Sequence, residues 1–433
     1  MAASEPHDRR LVAWLSLAQL ISWGSVFYLF ALIMAPIERE LGISRAQSSL
    51  AFSLALLAEG LLAYPVGRLI DRGHERMVMT GGSVLLGACL VAHSAVTTLA
   101  GFYAVWVALG LGMAATLYTP VFAVVTRRFP DDFRRAIITM TFLGGLASTV
   151  FIPLSAWLIS EFGWRHALWA LAALHLLVCA PLHCVLLKNA PPQGGHAPLG
   201  QAQVTHAVES KNPSRPPAAA PTLKDHLTSA PYLLIGLFVV LMMAVTAALP
   251  AHMVSLLREN GMNEAWAIAI PASIGVIQVL GRMLLFFFEH RFDVHTANRL
   301  IPCLMPLGLM ALLAASWWGG ALGGANGGAQ NAEGGGAALL VLLFVLLWGM
   351  GNGMLTIVKG TAMAQYVSRA HVASLNGALG IPLALARAAA PIGLGLLWSP
   401  QNGYTHGLWV MLGLSVASVL ALGLAQRLAR PQP

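Results

Sequence analysis

The sequence predicts an all-α membrane protein in which twelve transmembrane helices form two pseudo-symmetric six-helix bundles. Three observations predict it: too little charge for a water-facing surface, apolar blocks of spanning length, and a lopsided distribution of Lys and Arg. Of 433 residues, 57% are hydrophobic and 10% charged, and the mean hydropathy is +0.72. A soluble chain carries about 25% charged residues, and this one has too few polar side chains to cover a soluble surface of its size.

The elements follow in order. The polar start MAASEPHDRR leads into the first apolar segment, 11–37. That segment is too long for a signal-peptide core and no small-residue cleavage site follows it, so it reads as a retained helix. The second and third segments, 47–70 and 77–98, flank the charged stretch GRLIDRGHER (67–76). The fourth, 101–126, stops at Arg127-Arg128, and the fifth, 136–160, starts after Arg134-Arg135. The sixth, 165–187, ends at Lys188. Residues 188–226, rich in Pro, Gly, Ala and polar side chains, form a flexible linker. Segments seven to nine are 231–256, 265–288 and 298–318, and the Gly-rich loop 319–337 follows them. Segments ten to twelve are 338–365, 371–398 and 405–425. Each can cross about 30 Å of hydrocarbon as a helix, the form that satisfies every backbone group where no water is available.

This layout divides the chain into a first bundle at 1–187, a cytoplasmic linker at 188–226 and a second bundle at 227–433. With the N-terminus inside, 17 of the 25 Lys and Arg residues fall on inner loops, 4 on outer loops and 4 within or beside spans. That bias puts both termini in the cytoplasm of a multi-pass protein of the cell membrane, the inner membrane in a Gram-negative source. The net charge of +8 is therefore a topology signal and not a nucleic-acid footprint. The halves also echo each other. Gly67-Arg68 matches Gly281-Arg282, and Ile152-Pro153-Leu154 matches Ile381-Pro382-Leu383. Such internal repetition is common among carriers.

The pattern Gly-x-Leu-x-Asp-Arg-x-x-x-Arg in GRLIDRGHER resembles the signature loop of the major facilitator superfamily, and the resemblance extends over about 11–425. It implies the twelve-helix fold of that family and a conformational latch built from Gly67, Asp71, Arg72 and Arg76. In that reading Gly67 lets two helices pack closely. Asp71 faces the N-terminus of the eleventh helix. Arg72 and Arg76 hold the loop in the cytoplasm and pair with Asp71 or Glu75. His74 and Glu75 depart from the family pattern, and the Gly-Pro antiporter signature is not evident in the fifth segment, GGLASTVFIPLSAWL.

Ionisable groups inside spans are functional candidates, because hydrocarbon penalises them. Glu59 lies twelve residues before Asp71, about 18 Å along a helix and so near mid-membrane, and is the proton-coupling candidate. Arg387 lies midway along the eleventh segment, and either pairs with Glu59 or binds a substrate anion. Pro271, Gly275, Gln278, Arg282 and Glu289 share one helix face. This stripe resembles the eighth helix of monocarboxylate porters, with Gln278 where they carry Asp. Lys359 shares a face with Asn352 and Tyr366. Gln19, Trp23 and Tyr118 add polar and aromatic surface. Three cations against one carboxylate favour an anionic ligand.

Cys89, Cys179, Cys184 and Cys303 lie in apolar runs without metal-ligand spacing. No phosphate-binding Gly-rich motif or nucleophile turn is present, so the expectation includes no cofactor and no enzymatic activity. The function expected is secondary transport of a small organic anion such as a monocarboxylate, in symport with protons, by a lipid-embedded monomer. Efflux of a hydrophobic, drug-like compound is the alternative, and a transporter-like membrane sensor a further one.

Overall fold

A computed structural model describes residues 6–128, 133–188, 223–260, 262–288, 294–322, 334–368, 375–376 and 378–429. Most of the expected linker and of the Gly-rich loop, and the stripe residue Glu289, lie outside the described residues. Ten helices there are long and apolar enough to cross a membrane. One of them, Thr139–Leu186, holds two spans and reverses at Gly163, whose φ of 76° is open to glycine at little cost. Beyond this turn Arg165 bonds the carbonyl of Ser94, and Cys184 accepts from Arg76, so the chain runs back along Glu75–Ser94. The shorter apolar helix Gly380–Leu396 completes the twelve.

The spans are α1 (Arg10–Leu41), α2 (Arg45–Asp71), α3 (Glu75–Ser94), α4 (Leu99–Val125), α5 and α6 (together Thr139–Leu186), and α7 (Ala230–Glu259). They continue as α8 (Glu264–Phe288), α9 (Val294–Leu322), α10 (Gly334–Tyr366), α11 (Gly380–Leu396) and α12 (Thr405–Leu428). Short polar turns set their starts. Ser44 and Gln47 form a reciprocal capping box at α2, Thr98 caps α4 and Ser229 caps α7. One apolar core centres on Phe30, Phe52 and Trp106 in the first half, and a second on Phe238, Phe344 and Trp348.

Two spans contain a π-helical turn: Trp23–Tyr28 in α1 and His175–Cys179 in α6. They face each other, and Ser25 Oγ lies 2.7 Å from His175 Nε2 with both residues fully buried. Such turns re-aim side chains and gather at functional sites. α4 is interrupted at Leu117, whose backbone is extended, and restarts with Pro120 in its first turn. The π-helical turn in α1 and the break in α4 bring aromatic side chains to the centre of the molecule.

The two halves meet along α2 with α11 and along α5 with α8. At the end far from the termini, Arg45 of α2 bonds Glu259 at 2.8 Å and the Tyr404 hydroxyl at 2.7 Å, and lies over the Trp398 ring. Glu38 pairs with Arg45 from its own half. His252, fully buried, contacts Tyr404 Oη at 2.9 Å and the Pro391 carbonyl at 3.0 Å. The carbonyl can only accept, so Nε2 carries the proton and Tyr404 donates to Nδ1. Burial raises the Tyr404 hydroxyl above its ordinary pKa, which keeps it a neutral donor.

From this clamp the halves separate toward the termini. A Cβ on Gly60 of α2 would stand 2.7 Å from that of Ala384 of α11, whereas at Gly67, seven residues on, nothing lies within 4 Å. In this conformation the close crossing of α2 and α11 is at Gly60, and the two helices diverge below it toward Gly67. Gly60→Val should overpack the crossing and destabilise the protein by about 1–3 kcal/mol, with Gly67→Ala near neutral. Thermal unfolding of the purified variants measures both.

Candidate functional site

Between the halves lies a central cavity of about 380 Å³. Of the sequence-predicted binding and coupling residues, Trp23, Glu59, Tyr118, Gln278, Arg282, Asn352 and Arg387 all line it. The first half contributes an aromatic wall and the second half most of the polar groups. Thr119 and Thr356 line the cavity and are exposed. They stand on the stretches of α4 and α10 that lead toward the termini, so the cavity opens to that side.

Glu59 and Arg387 form an ion pair at 3.0 Å, and it crosses from α2 to α11. Their side chains are 11% and 23% exposed. The second oxygen of Glu59 is buried with no hydrogen-bond partner among the described residues. Arg387 also lies 6.0 Å from the Phe27 ring centroid. The two roles left open for Arg387 are therefore both met in part: it pairs with Glu59 and it lines the cavity.

Arg282 is held differently. Its Nη1 donates to the Thr141 carbonyl at 2.9 Å, across the two halves, and its Nε to the Gly353 carbonyl at 3.3 Å. No carboxylate pairs with it among the described residues. Carbonyl dipoles solvate a guanidinium but leave its net charge uncancelled, and in a membrane interior such a charge favours an anion.

The aromatic wall is continuous. Trp23 and Tyr118 have ring centroids 5.0 Å apart, and Trp23 and Phe27 5.1 Å. The Tyr118 hydroxyl packs against Gly144, and Arg282 Nη1 lies 3.6 Å from where a Cβ of Gly145 would stand, so both groups border adjacent residues of α5. The Trp23 indole nitrogen is buried without a hydrogen-bond partner among the described residues.

Several expectations are corrected. Lys359 is not among the residues lining the cavity; it sits on α10 below Asn352 and Thr356, half-buried, without an ion pair among the described residues. Gln19 donates to the Thr116 carbonyl at 2.6 Å and ties α1 to α4 away from the cavity. Gly275 packs against α5. In the signature loop Glu75 is buried and paired with Arg128, and Arg76 reaches Cys184. Arg72 is exposed, and the Asp71 side chain lies outside the described residues.

Residues that sequence reasoning missed include Phe27 and Tyr28, brought beside Trp23 by the π-helical turn, and Met243, Thr246, Pro250 and Met253 from α7. The one local signal for the turn is Gly24-Ser25 inside an apolar span. The clamp on Arg45 was missed because Glu259 at the end of α7 and Tyr404 just before α12 are 214 and 359 residues away in the chain.

Arg387→Gln should leave Glu59 as an uncompensated buried charge and destabilise the protein by about 3–5 kcal/mol. Glu59→Gln with Arg387→Gln should recover most of that loss. A double-mutant cycle followed by thermal unfolding reads the coupling.

The family model described as "Major Facilitator Superfamily" matches residues 15–391. Monocarboxylate transporter 13 of Bos taurus is 34% identical over 137 residues, which is 30% of this chain and 32% of that protein. Multidrug resistance protein MdtL of Shigella flexneri is 31% identical over 190 residues, 43% of this chain and 46% of the other. The chain therefore covers less than half the length of either relative. A bacterial homolog to the human lysosomal transporter Spinster, solved in an inward-facing and unoccupied conformation, superposes with a TM-score of 0.69 at 17% identity, covering 100% of both chains. The xylose transporter XylE from E. coli gives 0.65 at 12% identity, covering 98% of this chain and 100% of the other. At these identities the likeness concerns the fold.

Proposed function

The chain belongs to the major facilitator superfamily of membrane transporters, and from that premise we propose that it carries a small organic anion by alternating access, in symport with protons. The observation that carries this reading is Arg282: a cavity-lining guanidinium held by two backbone carbonyls, with no carboxylate beside it among the described residues. A carboxylate entering the cavity would cancel that charge with a charge-assisted, bidentate interaction. The relative named as a monocarboxylate transporter supports the same substrate class.

Glu59 and Arg387 are the coupling pair. They join α2 to α11, so separating the halves must break them. A bare carboxylate and a bare guanidinium in the membrane interior are both costly, whereas a protonated Glu59 releases Arg387 without leaving a negative charge behind. Proton binding thus favours one conformation over the other, which is the thermodynamic requirement for coupling.

The Lys and Arg bias assigns the termini end to the cytoplasm. The clamped end is then external, and the structure is the inward-facing state. The bundles 1–187 and 227–433 rock about the central cavity as a monomer, with 188–226 joining them and Gly67, Asp71, Arg72 and Arg76 latching the opposite state. Lys359 stands on the inner approach to the cavity and draws anions toward it. The efflux reading retains support from the relative named as a multidrug resistance protein.

Uptake of labelled short monocarboxylates into proteoliposomes tests the proposal. Wild-type uptake should follow an imposed proton gradient. Glu59→Gln should retain exchange but lose the response to the gradient, and Arg282→Gln should lose uptake about tenfold or more. Uptake indifferent to both substitutions would overturn the reading.

A further inference from the structure

The cavity wall beside Arg282 is built for more than a charge. We infer, resting on the anion reading above, that the ligand is a planar aromatic carboxylate whose ring lies on the wall formed by Trp23, Phe27 and Tyr118. Three observations lead there. First, the wall steps from Tyr118 through Trp23 to Phe27 at 5.0 Å and 5.1 Å between ring centroids, and Arg282 lines the same cavity. A carboxylate held at Arg282 therefore places the atoms attached to it on aromatic faces. Second, the facing side of the cavity presents Met243 and Met253 with Pro250 and Ile274. Thioethers make favourable contacts with aromatic rings, so a flat ring has suitable surface on both sides.

Third, Trp23 lines the cavity, and its indole N–H is buried and lacks an acceptor among the described residues. A buried donor without a partner is costly, and an acceptor carried on the ligand ring would remove that cost. A short aliphatic acid would satisfy Arg282 but would leave the wall uncovered and the indole unpaired. An uncharged aromatic compound would cover the wall but leave the guanidinium uncancelled. A carboxylate on an aromatic ring bearing an acceptor meets all three features, and a pyridine carboxylate is the simplest molecule of that description.

Calorimetric titration of the purified full-length chain in detergent with nicotinate, benzoate, cyclohexanecarboxylate, acetate and nicotinamide tests the inference. Benzoate should bind about tenfold more tightly than cyclohexanecarboxylate, its saturated counterpart. Nicotinate should bind at least as tightly as benzoate, and nicotinamide, the neutral isostere, should not bind. Trp23→Leu should reduce the benzoate preference to about twofold or less. Trp23→Phe keeps a ring on the wall and should preserve the benzoate preference while abolishing any advantage of nicotinate.

Equal affinity for benzoate and cyclohexanecarboxylate in the wild type, with Arg282-dependent binding intact, would overturn the aromatic assignment and leave the anion site standing. Nicotinamide binding as well as nicotinate, or no binding by any carboxylate, would overturn both. The wild-type comparison among ligands decides the point even if a Trp23 variant fails to fold.

Discussion

A charge in a membrane interior must be cancelled or solvated by the protein itself, and much of this structure follows from how three such charges are handled. Glu59 and Arg387 cancel each other at 3.0 Å. Arg282 is solvated by the carbonyls of Thr141 and Gly353 but not cancelled among the described residues. The first arrangement ties the two halves together at mid-membrane. The second leaves a positive site beside an aromatic wall. The pair and the lone cation line the same cavity, so a ligand that settles on one lies within electrostatic range of the other.

The distribution of contacts between the halves explains how one cavity can serve two sides. Arg45, Glu259, Tyr404 and His252 close the far end through a chain of charged and neutral hydrogen bonds. The crossing at Gly60 and Ala384 lies midway, and beyond it α2 leaves open space at Gly67. Rocking about this crossing would exchange the open end for the closed one. The clamp groups are hydrophilic and can return to water when it opens. The Glu59–Arg387 pair, at mid-membrane, has no such refuge.

The twelve spans, and the meeting of Trp23, Glu59, Tyr118, Gln278, Arg282, Asn352 and Arg387 at one cavity, were legible in the sequence. Spanning length sets the helices, and the cost of charge in lipid marks the residues. Lys359 obeyed the same marking rule but is not among the residues lining the cavity, because its position on α10 lies toward the helix end, where a long side chain has other places to go. The π-helical turns were not legible. They meet through Ser25 and His175, a contact across 150 residues, and they shift the helical period that sequence reasoning relies on. Glu75 was read as a loop charge. It is buried on Arg128 because α3 packs that end of the bundle closed, a tertiary fact with no local signature.

The account depends most directly on the uncancelled charge of Arg282. Gln278 stands one helical turn before it on the same face of α8 and lines the same cavity. Gln278→Glu would supply a carboxylate from within the protein. The measurement is the affinity of benzoate for wild type and for this variant at neutral pH, by calorimetry on the folded proteins. Weakening of about tenfold or more is expected, since the internal carboxylate would occupy the charge that the ligand needs. Benzoate binding of unchanged strength would contradict the account, because the anion would then be held elsewhere.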